Sequence, residues 1–144
     1  MSQDPSHDWV LINHPLFELQ LQKLETEVEK KGQQSFAGKL LRSIEKITNE
    51  VVPNDPSSKV FRQGLTLGPE YKHWRRVVFH QQYRLFFRYD SRMKVIIYVW
   101  MNDEDTLRAY ESKNDAYRVF QKMLDSGYPP GDFEDLLKQS GFQN

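Results

Sequence analysis

The sequence predicts an α+β domain: an N-terminal strand, a two-helix hairpin packed on one face of a mostly antiparallel four-stranded sheet, and C-terminal helices. Three observations predict it. Two apolar stripes at helical spacing follow one another through residues 15–51. Three runs of branched and aromatic residues come next, at roughly 74–79, 83–89 and 94–101. Their connections are too short for crossovers, which forces an antiparallel meander.

The first strand is read from "WVLINHP" (9–15), a short apolar run stopped by Pro15. Pro15 then opens a helix, where its fixed φ is tolerated at the first position. Phe17, Leu21, Leu24 and Val28 carry that helix up to Gly32. Phe36, Leu40, Leu41, Ile44, Ile47 and Val51 form the second stripe, which Pro53 ends. Residues 53–73 read as one long loop, with Pro53, Pro56, Gly64, Gly68 and Pro69. An ordered loop of that length in a small domain is expected to be functional or to cover something. After the strands, Asn114 is a plausible cap for a helix whose face carries Ala116, Val119, Phe120, Met123 and Leu124. Gly127 ends it, and a last short helix starts near Asp132. The expected organisation is a flexible tail over residues 1–8 and one domain over 9–144.

Several function classes are set aside at once. The chain has 144 residues, no cysteine and zero formal net charge. Disulfides and thiolate metal sites are therefore unavailable. No run of about 18 apolar residues offers a membrane span. The start "MSQDPSHDW" lacks a basic segment followed by an apolar one, so no secretory signal is expected and the expected compartment is the cytoplasm. The histidines are scattered without ligand spacing, and no serine sits in a nucleophile elbow, so neither metal nor cofactor is expected.

Charge is unevenly spread. Residues 62–94 hold Arg62, Lys72, Arg75, Arg76, Arg84, Arg88, Arg92 and Lys94 against Glu70 and Asp90, while residues 102–144 lean acidic. A basic middle in a neutral chain is a local anion site or a charge-protected sheet edge. Strand parity decides which arginines share a face. In 83–89, Tyr83, Leu85, Phe87 and Tyr89 take one side, and Arg84, Phe86 and Arg88 the other. Placing Val77 and Phe79 with Leu85 and Phe87 requires Phe79 opposite Tyr83, with His80–Gln82 as a three-residue loop. Arg76, Arg84 and Arg88 then point away from the helices, interleaved with Trp74 and Phe86 on an open face. A two-residue loop would group Arg75, Arg84 and Arg88 instead; polarity favours the first register. Guanidinium forks fit phosphate oxygens, and aromatics among them can stack on unpaired bases, so the expected ligand is RNA or another phosphate.

The segments "HPLF" (14–17), "PSSKVFRQGLTLG" (56–68), "WRRVVF" (74–79), "YRLFFRY" (83–89) and "WMNDEDTLRAYESKNDAYRVFQKMLDSGYPP" (100–130) carry a resemblance. With the element order above, the chain resembles the RelE/ParE superfamily of bacterial toxins, and within it the YhaV-type toxins of type II toxin–antitoxin systems. The resemblance implies a RelE-like fold and a metal-independent mRNA endoribonuclease acting at the ribosome. It implies inhibition by a cognate antitoxin similar to PrlF, a swapped-hairpin DNA-binding protein through which the complex reaches operator DNA. Two alternatives share the fold: a toxin that binds a protein target without cutting RNA, and an inactive relative that only binds its antitoxin.

RelE-like chemistry lets the ribose 2′-hydroxyl attack the adjacent phosphate, so cations must stabilise the phosphorane, and a base and an acid must move protons. The resemblance puts Arg84 where the superfamily commonly keeps a phosphate-clamping arginine and Arg76 on the neighbouring strand. It puts Arg108 and Tyr110, with Lys113 close behind, where further catalytic or base-stacking side chains occur. Arg88, Lys113, Asn102, His80 and Trp74 complete the expected substrate contacts. His80 is the one histidine near this face, in a turn where a solvated ring is the commoner outcome. Asp103, Glu104 and Asp105 could supply a carboxylate or merely form a turn. Asn102 reads equally as turn former or base reader.

Overall fold

The structure, a computed structural model, describes residues 7–103 and 115–141. Strand β1 (Val10–Asn13) runs into His14, which caps helix α1 (Pro15–Lys31) by accepting the Leu16 N–H on Nδ1 at 3.1 Å. Gly32, at φ 93°, ends α1 in a conformation that L side chains resist. Ser35 Oγ caps helix α2 (Phe36–Lys46) by accepting the Gly38 N–H at 3.2 Å. A Cβ on Gly38 would stand 2.2 Å from the Gln33 carbonyl oxygen, so only glycine lets the chain double back there.

Helix α2 widens into a π turn over Ile47–Val51 and ends in a last turn at Val52–Asn54. The widened turn leaves the Thr48 carbonyl free to accept the buried Tyr98 hydroxyl at 2.8 Å. Burial pushes the Tyr98 phenol well above its ordinary pKa, so it stays a donor.

Strands β2 (Arg75–Phe79), β3 (Tyr83–Asp90) and β4 (Val95–Met101) form the meander. Phe79 opposes Tyr83, Val77 opposes Leu85 and Arg76 opposes Phe86, which is the register that parity favoured. His80 (φ 47°) and Gln81 (φ 61°) turn the hairpin in the left-handed region. In β4, Trp100 opposes Phe86 and Tyr98 opposes Phe87, so Val99 bulges and Trp100 is carried onto the same face as Val99.

The sheet order is β1-β4-β3-β2, with β1 parallel to β4 and the other two pairings antiparallel. The sheet is thus mixed, where a mostly antiparallel one was expected. The reason is that α1 and α2 carry the chain across one face between β1 and the meander, returning β1's neighbour in the same direction.

On the first face, Phe17, Leu40, Ile44 and Ile47 of the helices bury against Val77, Leu85, Phe87, Ile96 and Tyr98. Each such side chain contributes about 1.5–3 kcal/mol by leaving water. The second face corrects the expectation of an open surface. Helices α3 (Asp115–Ser126) and α4 (Phe133–Gln139) pack on it through Phe120, Leu124, Leu136 and Leu137. Trp74 and Phe86, expected in solvent, are 1% and 0% exposed. Phe120 stacks on Phe86 at 4.4 Å and on Trp100 at 5.5 Å, and meets Trp74 edge-on at 5.0 Å.

The long loop covers both layers. Phe61 enters the first core and Leu67 the second. Buried Gln63 holds the loop's shape: its amide donates to the Tyr71 carbonyl, and its oxygen accepts from the Thr66 hydroxyl and the Leu67 N–H. Tyr71 donates to Asp125 of α3 at 2.7 Å, and that carboxylate pushes the phenol up to about 12. Among the described residues, no helix is long and apolar enough to cross a membrane.

Candidate active site on the hairpin end of the sheet

Helices α3 and α4 do not cover the whole second face. At the hairpin end, Val78 is 42% exposed, flanked on that face by Arg76 two residues back and Arg84 directly opposite. Arg76 and Arg84 therefore take diagonal positions on one face of the β2–β3 pair, Arg76 half-buried and Arg84 buried. The two-residue period of the paired strands puts them on the same face.

Arg76 is half-buried and held at two points. Its Nε–H donates to the Tyr117 hydroxyl at 2.9 Å, and its Nη1 donates to the Val60 carbonyl at 2.8 Å. Arg84 is 9% exposed. Its Nη1 donates to the Gln81 carbonyl at 2.8 Å, inside its own hairpin. Its Nε is buried without an acceptor among the described residues. No carboxylate pairs with either guanidinium among the described residues. A buried cation without a counter-charge is costly to keep, and that cost is relieved when an anion arrives.

The other expected residues separate. Arg88 shares the face but is drawn under the C-terminal segment. Its Nη1 donates to the Gly131 carbonyl, and its guanidinium lies over the rings of Trp74 at 5.4 Å and Phe133 at 5.8 Å. Desolvation lowers its pKa, opposed by Asp132 nearby and aided by Arg75. Trp74, closed in by Phe120 and Arg88, presents no ring to a base. Asn102 is 1% exposed and serves the hairpin: its oxygen accepts the Arg84 backbone N–H at 2.7 Å, and its amide donates to the Gln82 carbonyl at 2.9 Å. This locks the Arg84 backbone, so Asn102 acts on the site through the main chain.

His80 sits on the helix side of the hairpin tip. Its Nε2 lies 2.8 Å from Ser43 Oγ, and its ring borders Phe36, Phe79 and Tyr83. The residue is exposed, yet turned away from Arg76 and Arg84. Asp103 lines a cleft of about 360 Å³ beside α1 and α2, together with Gln20 and Lys23. Arg108, Tyr110, Lys113, Glu104 and Asp105 lie outside the described residues.

Two participants were not singled out from the sequence. Tyr117 stands beside the apolar stripe of α3, and the Val60 carbonyl comes from the long loop. A signal for Tyr117 did exist: a tyrosine at the margin of a buried stripe brings a hydroxyl that wants a polar partner.

The family described as "toxin with endonuclease activity, of toxin-antitoxin system", Toxin_YhaV, matches residues 11–141. The ribonuclease toxin YhaV of Escherichia coli strain K12 is 47% identical to this chain over 141 residues, covering 92% of each. The toxins YhaV of E. coli O157:H7 and of E. coli O6:H1 (strain CFT073) match to the same extent, 47% over 92% of each chain. No solved structure matches.

Proposed function

The chain belongs to the YhaV family of toxins with endonuclease activity from toxin–antitoxin systems, and we propose that its substrate is messenger RNA, cut at a phosphate gripped by Arg76 and Arg84. What supports this reading is that Arg76 and Arg84, on one face of the hairpin, have no carboxylate partner among the described residues, and that Arg84 Nε is buried without an acceptor among them. A phosphorane gathers negative charge on its equatorial oxygens, and fixed cations lower its energy more than that of the ground-state diester.

The proposed reaction is the one that RelE-like chemistry implies. The ribose 2′-oxygen bonds to phosphorus as its proton passes to a base. The bond from phosphorus to the 5′-oxygen breaks, and that oxygen takes a proton. The products are a 2′,3′-cyclic phosphate and a 5′-hydroxyl. Arg76 and Arg84 are proposed to carry the developing charge, and metal independence is proposed from the resemblance to RelE-like enzymes. Arg108, Tyr110 and Lys113 are proposed to complete the catalytic and substrate contacts, following their sequence positions in the superfamily.

The same reading includes a RelE-like fold in one domain from residue 9 onward, action in the cytoplasm at the ribosome, and neutralisation by a PrlF-like antitoxin. An antitoxin that covers the Arg76–Arg84 corner with acidic or carbonyl groups would silence the enzyme by occupying the phosphate's place.

The test is cleavage of a defined mRNA, with and without ribosomes, with and without EDTA, followed by analysis of the new ends. Cyclic phosphate and 5′-hydroxyl ends, and resistance of a substrate carrying 2′-O-methyl ribose just before the scissile phosphate, are expected. On naked RNA, EDTA should change nothing. Recovery of 5′-phosphate ends, or cutting of the 2′-O-methyl substrate at that position, would replace this mechanism with attack by water.

A further inference from the structure

We infer that Tyr117 is the positioning residue of Arg76: its phenol oxygen fixes the guanidinium at the site without cancelling its charge. The inference rests on the RNA-cleaving reading and deepens it. Arg76 lies on edge strand β2, where a long side chain would otherwise sweep through many rotamers. Its two anchors are both neutral oxygens, the Tyr117 hydroxyl at 2.9 Å and the Val60 carbonyl at 2.8 Å. A carboxylate in either place would hold the side chain equally well but would quench the charge and compete with phosphate. Of the five N–H donors on a guanidinium, these bonds take two, so three remain for a ligand.

Tyr117 is itself fixed. Its ring stands edge-on to Phe86, with centroids 5.6 Å apart and planes at 85°. Phe86 is fully buried, stacked on Phe120, and directly opposite Arg76 in the β2–β3 register. The aromatic stack under α3 therefore sets where the phenol oxygen stands, and the phenol sets where the guanidinium stands. Because that oxygen accepts from Nε, its own proton points elsewhere and leaves the Arg76 contact undisturbed.

A tyrosine that merely satisfies a surface hydrogen bond predicts neither the loss in kcat nor its dependence on Arg76. Tyr117→Phe keeps the ring on Phe86 and should melt as the parent does. Its kcat on a short oligoribonucleotide should fall about tenfold, the kinetic equivalent of one hydrogen bond to a charged group, while KM stays within about twofold. In an Arg76→Ala background the same change should cost less than about twofold, because the group it positions is gone. Nitrogen-15 spectra should show the Arg76 Nε–H exchanging slowly with solvent in the parent and rapidly in Tyr117→Phe. Equal losses in both backgrounds, a fully active Tyr117→Phe, or an unchanged Nε–H exchange rate would each overturn the inference. If the parent protein cuts no RNA, the RNA reading falls by itself, and the exchange rates still decide whether Tyr117 holds Arg76.

Discussion

The two faces of the sheet are closed in different ways. The first is covered by α1 and α2, which arrive before the meander in the chain and seal it from Trp9 at one side to Phe79 at the other. The second is covered by α3 and α4, which arrive last and stop short of the hairpin, leaving Arg76, Val78 and Arg84 at the border. Along β3 the two faces alternate residue by residue: Leu85 and Phe87 bury among helix side chains, while Arg84 and Arg88 stand on the other side. Apolar core residues and arginines are thus interleaved at one-residue spacing. A cation can be held rigidly on a strand because the residues on either side of it are locked in a core.

The sharpest way to break this comparison is to change neighbours on opposite faces. Arg84→Ala should lower RNA cleavage by about 10²–10³-fold, the usual consequence of losing one fixed group that meets transition-state charge. Its urea unfolding curve should stay close to the parent's. Leu85→Ala, one residue along, should instead cost about 2–5 kcal/mol in the same unfolding experiment. A fully active Arg84→Ala, or a Leu85→Ala as stable as the parent, would end the division of roles between the faces.

A second change asks what supports the open corner. Phe120→Ala removes the ring packed between Phe86, Trp100 and Trp74, and should cost about 3–5 kcal/mol, read by urea unfolding. Cleavage should fall along with it even where the protein remains folded, since the stack also sets Tyr117.

The third concerns the arginine that left the site. Arg88→Ala loses the Gly131 bond and the stacking on Trp74 and Phe133, and should cost about 1–3 kcal/mol. Limited proteolysis should become faster beyond α3, while the cleavage rate on RNA stays near the parent's. A large loss of cleavage with an unchanged proteolysis pattern would return Arg88 to the substrate.

The smallest effect is a pH dependence where the two layers meet. His14 is fully buried, caps α1 through Nδ1, and donates from Nε2 to Gln139 Oε1 of α4 at 2.7 Å. Burial lowers its pKa in the folded protein, outweighing the Gln139 bond that raises it. As pH falls below the ordinary histidine value of about 6.5, the unfolded chain takes up the proton first. The stability that neutral His14 supplies is therefore whole above about pH 6.5 and declines below it. His14→Asn can still cap α1 but does not titrate. Its melting temperature should fall less than the parent's between about pH 6.5 and 5; parallel curves would remove His14 from this role.

Much of this arrangement was legible because period two is a strong constraint. Pairing Phe79 with Tyr83 was the way to keep Val77, Phe79, Leu85 and Phe87 on one side, and the left-handed His80 and Gln81 accommodate the three-residue loop it requires. The direction of β1 was not legible, since parity assigns faces and says nothing of whether a distant partner runs parallel or antiparallel. The cover over Trp74 and Phe86 was misread for a related reason. Arginines beside aromatics suggested an open face, but a guanidinium can lie over buried rings while a backbone carbonyl takes its N–H, as Arg88 does. Tyr117 stayed hidden because its partner lies 41 positions away, on an edge strand. Asn102 left two readings open, and only the Arg84 and Gln82 main-chain bonds decide what its side chain is occupied with.

The parallel pairing of β1 with β4 has a consequence for the cell that makes this protein. Val10 must wait for Val95, and Asn13 for Tyr98, before the sheet's far edge can zip. A chain growing from its N-terminus therefore carries α1 and α2 for most of its synthesis with no finished sheet to rest on. The stack that sets Tyr117 also requires Phe120, later still. Nascent chains halted anywhere short of that point hold Arg76 without the Tyr117 hydroxyl that anchors it. The order of translation thus delays the frame around Arg76 until nearly all of the chain has been made.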